Sequence, residues 1–205
     1  MMHPLQGKWD GIYRKASGNV RPEPALVLRK YDYLLPEQGR ALDLACGMGG
    51  NALFLAERGL STTAWDLSAV AIKRLSQVAA NDQLDLVCEV RDLEKEPLPQ
   101  SSFDVVVVSR FLDRNLNRFL AAALRPEGLL YFQTFVADKD SAIGPVNPAY
   151  LLRENELALT FADLILRAYC EAGQTGDQAR GFRNEALLVG QKPLNAVEQN
   201  DVEKR

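Results

Sequence analysis

Arg40-Ala-Leu-Asp-Leu-Ala-Cys-Gly-Met-Gly-Gly-Asn51 joins a short apolar run, broken by one acid, to three glycines in four positions. Ala52, Leu53, Phe54 and Leu55 then continue as a helix that Gly59 caps. A buried strand that passes through a glycine loop into a helix opens an open α/β sheet, whose ligands sit beyond the carboxyl ends of the strands. A ligand site is therefore expected around residues 45–51.

Outward from this unit, strands and helices alternate. Ser61-Thr-Thr-Ala-Trp-Asp66 reads as the second strand, and Ser68 as the N-cap of a helix with Ala71, Ile72, Leu75 and Val78 on one face. In the third strand Leu84, Leu86, Cys88 and Val90 alternate with Asp85, Val87, Glu89 and Arg91, and Asp92 stands just beyond its carboxyl end. Phe103-Asp-Val-Val-Val-Val-Ser109 carries an unbroken apolar run, Val105 to Val108, the mark of a central strand covered on both faces. A helix carrying Leu116, Phe119, Leu120 and Ala123 leads to a fifth strand over 128–135. A polar loop, a helix over 154–162 and two last strands over 164–170 and 186–191 follow. Upstream, Pro22-Glu-Pro24 opens a helix with Val27, Leu28, Tyr31, Leu34 and Leu35 on its apolar face. No helical pattern separates the last two strands, so they are expected as an antiparallel hairpin. The fold class predicted is α/β, a doubly wound, seven-stranded, mostly parallel sheet with helices on both faces, an antiparallel last strand and the reversed strand at the edge.

Gly47, Gly49 and Ala52 satisfy the dinucleotide pattern G-x-G-x-x-[GA], with Asp66 about 20 residues on, where an acid grips ribose hydroxyls. Nicotinamide dinucleotides, flavin dinucleotides and S-adenosylmethionine all fit that pattern. Charge separates them. A pyrophosphate wants bare N–H groups, whereas a ligand bearing an ammonium and a sulfonium needs acceptors, and Asp43 places a carboxylate beside the loop. Asp92-Leu93 offers an acceptor and an apolar cover for an adenine.

Leu42-Asp-Leu-Ala-Cys-Gly-Met-Gly-Gly-Asn51, Asp66-Leu-Ser68, Arg91-Asp-Leu93 and Phe103-Asp-Val-Val together resemble the class I S-adenosylmethionine-dependent methyltransferases, from about Trp9 to Gln191. Trp9-Asp-Gly-Ile-Tyr13, Gln133-Thr-Phe135, Gly144-Pro145 and Asn147-Pro148 look like the small bacterial tellurite-resistance-type members. The resemblance implies that the backbone at Ala45, Gly47 and Gly49 approaches the methionine part of S-adenosylmethionine. It further implies that Asp43 holds the ammonium through water and that Asn51 borders the same loop. Asp66, with Leu67 and Ser68, would bind the ribose, Asp92 and Leu93 would contact adenine, and the carbonyl of Ser109 would face the sulfonium. Residues 1–38 then read as a helical lid segment, 39–192 as the S-adenosylmethionine-binding methyltransferase domain and 193–205 as a disordered tail.

The acceptor end is less defined. Enzymes that methylate exocyclic or amide nitrogens carry [NDS]-P-P-[YFW] after the fourth strand, and here Ser109-Arg-Phe-Leu112 stands in its place. His3 is the only histidine, so the candidates for a base are Tyr13, Asp10, Asp113 and Glu156. A thiolate, a chalcogen oxyanion or a carboxylate needs no base, and Arg110 is placed to hold such an anion, unless a neighbouring acid such as Asp113 takes it up. The expectation is a methyltransferase for a small molecule, with an RNA or protein methyltransferase, or a non-catalytic S-adenosylmethionine-binding protein, as alternatives. The loop over 136–149 is expected to cover the acceptor site and to be ordered only at its far end.

Composition bounds the rest. At 205 residues, with 47% apolar and 25% charged residues, the chain builds one domain of good size. A net charge of −3 argues against blanket neutralisation of nucleic-acid phosphates, although residues 1–40 hold seven Lys/Arg against four Asp/Glu. Cys46, Cys88 and Cys170 stand far apart, without a metal-ligand or disulfide pattern. With no apolar leader or span, a cytoplasmic protein away from membranes is expected, with no metal and an oligomeric state the sequence leaves open.

Overall fold

A computed structural model of the chain describes residues 5–16, 21–140 and 142–194. The seven strands are β1 (Arg40–Leu44), β2 (Ser61–Asp66), β3 (Leu86–Val90), β4 (Phe103–Ser109), β5 (Leu124–Phe135), β6 (Ile165–Cys170) and β7 (Glu185–Gln191). They form one sheet in the order β3-β2-β1-β4-β5-β7-β6. All pairs are parallel except those of β7, which runs antiparallel to both neighbours, with Phe132 opposite Leu188 and Tyr169 opposite Leu188 on the other side. The strand order reverses between β1 and β4, and that switch point opens a crevice at their carboxyl ends.

The reversed strand is not at the edge. β7 lies between β5 and β6, and β6 is the outer strand. Burial explains the exchange: β7 is covered along Glu185 to Gly190, as its run Ala186-Leu-Leu-Val189 requires, whereas β6 leaves Ile165 and Leu166 exposed. At the opposite edge β3 exposes Val87 and also Val90, although the alternation puts Val90 on the face of the half-buried Leu86 and Cys88.

Side chains alternate across the sheet and build two large core clusters, beside a smaller one of Ala52, Leu53, Ala64 and Leu75. Leu42, Leu44, Val106, Val108, Leu130, Phe132 and Leu188 pack one face against Leu116 and Leu120, beside α5 (Asn117–Ala123), and Leu157 of α6 (Glu156–Thr160). Ala41, Val105, Val107, Leu129, Tyr131, Leu187 and Val189 pack the other against Val27 and Leu28 of α2 (Leu26–Lys30) and Leu55 of α3 (Gly50–Glu57). Helix α2 is shorter than the apolar pattern suggested, since the chain leaves it at Tyr31 and makes a 3-10 turn over Asp32–Leu34, yet Tyr31, Leu34 and Leu35 still pack on that core. Helix α6 is likewise a five-residue piece of the expected 154–162.

Helix α4 (Ala69–Asn81) covers β2 and β3. Helix α1 (Gln6–Lys15) lies on α4, where the Arg74 guanidinium donates to the carbonyls of Tyr13 and Ala16 at 2.7 and 3.1 Å. The basic excess of the first 40 residues is partly spent on ion pairs, Arg14 with Asp10, Arg21 with Glu57 and Arg29 with Glu23. His3 and residues 195–205 of the expected tail lie outside the described residues. Among the described residues no helix is long and apolar enough to cross a membrane, and no group of acids, histidines and cysteines could hold a metal.

Candidate active site

β1 leaves the sheet through a turn in which Ala45, Gly47 and Gly49 all have positive φ, of 54°, 54° and 79°. Through this turn the N–H of Cys46 bonds the Trp65 carbonyl at 2.9 Å and that of Gly49 the Cys46 carbonyl at 2.9 Å before α3 begins. Ala45 pays for the left-handed turn with the strain an L side chain carries there.

Two acids converge on this turn. Asp43 is fully buried and accepts from Asn51 Nδ2 at 3.2 Å and from the Ala52 N–H at the start of α3 at 3.0 Å. Burial pushes its pKa up to about 7, against the opposing pull of those two hydrogen bonds. Asp66, also buried, accepts from the Gly47 N–H at 2.8 Å and the Ser68 N–H at 2.7 Å, so one carboxylate ties the glycine turn to the start of α4. Its pKa is raised by burial as well. No Lys or Arg side chain bonds either acid among the described residues.

Helix α1 closes this side. Asp10 accepts from the Ser68 hydroxyl at 2.5 Å and from the Val70 N–H at 3.3 Å, while Ser68 caps α4 through the Ala71 N–H. Those bonds, the Ser68 hydroxyl first, hold Asp10 below the usual carboxylate range. The Tyr13 hydroxyl rests over Gly47, 2.7 Å from where a Cβ there would stand. Burial, with Asp66 next, raises the Tyr13 pKa, so its phenol stays protonated. Trp9 stacks on Tyr13 with 6.1 Å between ring centres.

Asn51 is a hub. It accepts from the Ala25 N–H at 2.8 Å and donates to Asp43 and, at 2.9 Å, to Ser109 Oγ, so its amide braces β1, β4 and the segment before α2. At the cleft's far end Asp92 receives the Glu94 N–H and the Lys95 ammonium, the latter at 2.5 Å, and Leu93 packs against the core that holds Trp65. Leu67 is half-buried between Asp66 and Ser68. Cys46 is pushed up by burial beside Asp43 and Asp66, which suits a packing residue rather than a nucleophile.

Past the glycine turn lies a cavity of about 320 Å³, lined among others by Pro24, Leu26, Met48, Ser109, Arg110 and Phe182. Arg110 pairs with Glu185, 75 residues on, rather than with the neighbouring Asp113, whose carboxylate instead accepts from the Asn115 N–H to close a turn. Glu156 is not at this cavity: both its oxygens take the Arg114 guanidinium, at 2.5 and 2.9 Å, and this pairing lowers its pKa. Arg114 also donates to the carbonyls of Ala149 and Leu151 and so fixes the far end of the 136–149 loop. The near end is anchored too, contrary to expectation, by Asp138 accepting from the Gln174 N–H and by the Asp140 N–H on Asn184. Sequence reading missed Gln133 and Glu185. A glutamine within the otherwise apolar run of β5 was the available signal.

This geometry has known counterparts. Residues 41–128 match a family model described as a methyltransferase domain. This stretch, which holds β1 to β4, is similar to the S-adenosylmethionine-dependent methyltransferases. The cofactor of that family is S-adenosylmethionine. Hemagglutinin 1 of Eikenella corrodens is 30% identical over 141 residues, 65% of this chain and 46% of its own. The putative methyltransferase YqeM of Bacillus subtilis is 31% identical over 120 residues, 54% of this chain and 48% of its own. The chain thus spans just under half the length of these relatives. TehB from Haemophilus influenzae has a solved structure that superposes with a TM-score of 0.68 at 20% identity, covering 90% of this chain and 67% of the other, a likeness of fold.

Proposed function

We propose that the protein is an S-adenosylmethionine-dependent methyltransferase whose acceptor is a small molecule bound in the cavity beyond the glycine turn. One observation carries the reading: two buried acids, Asp43 and Asp66, meet at a left-handed turn with no basic side chain on either, which suits a cationic ligand and repels a pyrophosphate. When bound, S-adenosylmethionine supplies a methyl group on a sulfonium, open to in-line attack. Asp43 would face its ammonium through water, the backbone at Ala45, Gly47 and Gly49 would border its methionine part, and Asp66, Leu67 and Ser68 would hold the ribose. Asp92 and Leu93 would flank the adenine, and Ser109 would border the sulfur. Tyr13 on α1 rests over the turn, with Trp9 stacked on it.

Of the candidate bases, Asp10, Asp113 and Glu156 are engaged in structural bonds, and Tyr13 stays protonated. This favours an acceptor that arrives without a proton to lose, a thiolate, an oxyanion or a carboxylate, with Arg110 at the cavity to hold it. The test is calorimetric titration with S-adenosylhomocysteine and, separately, with NADH, followed by transfer of labelled methyl to a panel of thiols and carboxylic acids. S-adenosylhomocysteine binding and NADH silence are expected. The reverse pattern sinks the proposal.

A further inference from the structure

Arg110 is held in an unusual way for a surface arginine. It stands at the carboxyl end of the central strand with φ +53°, a conformation a bulky residue keeps only when its surroundings enforce it. Its backbone N–H donates to the Gln133 carbonyl at 2.7 Å, and its Nε donates to Glu185 Oε1 at 3.0 Å. Glu185 is itself an oddity, a carboxylate with 6% of its side chain exposed at the first position of β7, a strand paired on both sides. Its second oxygen takes Gln133 Nε2 at 2.5 Å, and Gln133 Oε1 accepts from the Val27 N–H at 2.8 Å. Burying a carboxylate is costly, and apolar residues would satisfy β7 better, so the arrangement stabilises something other than the sheet.

What it fixes is the guanidinium. Glu185 occupies only Nε, the Arg110 side chain is 67% exposed, and its two terminal amino groups make no bond among the described residues. They belong to a side chain that lines the cavity beside the glycine turn. Arg29 lines the same cavity but is braced only by Glu23, itself largely exposed, and has no comparable scaffold.

We propose that Glu185 and Gln133 are positioning residues that aim Arg110 as a two-pronged grip for a carboxylate or similar planar anion carried by the acceptor, apart from the atom that is methylated. The exposure of Arg110 puts the grip on the open side of the cavity, and Cys46 and Gly49 of the glycine turn line the same cavity. The volume of about 320 Å³ and the apolar surfaces of Leu26, Met48 and Phe182 suit an organic body between the two ends rather than a bare oxyanion. The inference rests on the proposed function and narrows its substrate class.

The test uses protein saturated with S-adenosylhomocysteine, titrated calorimetrically with 4-mercaptobenzoate and with 4-mercaptobenzamide, which differ at the anionic end alone. The benzoate is expected to bind about tenfold or more tightly than the amide. Arg110→Met should abolish that preference, Arg110→Lys should keep part of it, and Glu185→Gln should cut it several-fold while leaving amide affinity in place, which a merely structural role would not do. Arg110 is exposed enough for Arg110→Met to fold even if Glu185→Gln does not. Equal binding of the two probes, no binding of either, or a preference that survives Arg110→Met overturns the proposal. So does a tenfold loss of S-adenosylhomocysteine affinity in Arg110→Met, which would assign the grip to the cofactor's own carboxylate. The first titration stands apart, since a wild-type protein that does not bind S-adenosylhomocysteine defeats the proposed function and this inference with it.

Discussion

Gly47 and Gly49 share a turn and a sign of φ, but a methyl group at each would meet different neighbours. At Gly49 it would stand 2.3 Å from Leu75, a buried residue of α4 with no room to yield. Strain of about 1–2 kcal/mol at the left-handed backbone adds to overpacking of about 1–3 kcal/mol, so Gly49→Ala should lower stability severely in a denaturant titration. At Gly47 the neighbour is the tip of Tyr13, which can move with α1, so Gly47→Ala should cost about 1–2 kcal/mol of stability and lose cofactor affinity more conspicuously. Equal destabilisation of the two variants would contradict the contacts.

Asp43 yields a pH prediction. Its pKa is raised on folding to about 7, so the stability this group contributes is complete at low pH and is lost as pH rises toward 7. A cation bound beside it favours the carboxylate, so S-adenosylmethionine affinity should climb between pH 5.5 and 7. Asp43→Asn should flatten that slope. A level wild-type profile in calorimetry over this range would separate Asp43 from the ligand.

Among the elements, α1 puts no residue into the core clusters and is held by polar contacts, with Asp10 as its buried residue. Asp10, the Arg74 guanidinium and Tyr13 fasten it across the start of α4 and the glycine turn. Asp10→Ala removes the acceptor for the Ser68 hydroxyl and the Val70 N–H, so amide exchange in residues 6–15 should quicken by about tenfold, roughly the worth of one charge-assisted bond. Exchange in β4 and β5 should not change. The near end of the 136–149 loop departs from the sequence expectation because its anchors are remote: Gln174 and Asn184 reach it from other segments. No local pattern in the loop could show them.

At the scale of the whole molecule, ligand binding at the switch point should stabilise the sheet as a unit. With S-adenosylhomocysteine at about one hundred times its Kd the gain is about 2.7 kcal/mol, visible as a rise in Tm of several degrees, and NADH at equal concentration should give none. A rise with NADH alone would move the site from the acids to a phosphate-binding loop.

Periodicity in the chain was enough to determine the alternating elements, the seven strands, the switch-point loop and the antiparallel course of the last strand, because burial on both faces writes continuous apolar runs and glycine spacing writes the turn. Asp43 and Asp66 were legible as acids beside that loop. Tertiary structure alone decided that β7 lies inside the sheet, that Arg110 pairs with Glu185 rather than Asp113, and that Gln133 and Asn51 each hold a backbone N–H of the segment around α2. Those contacts join residues 26 to 106 positions apart, and a hydrogen bond across such a separation leaves no period in the sequence.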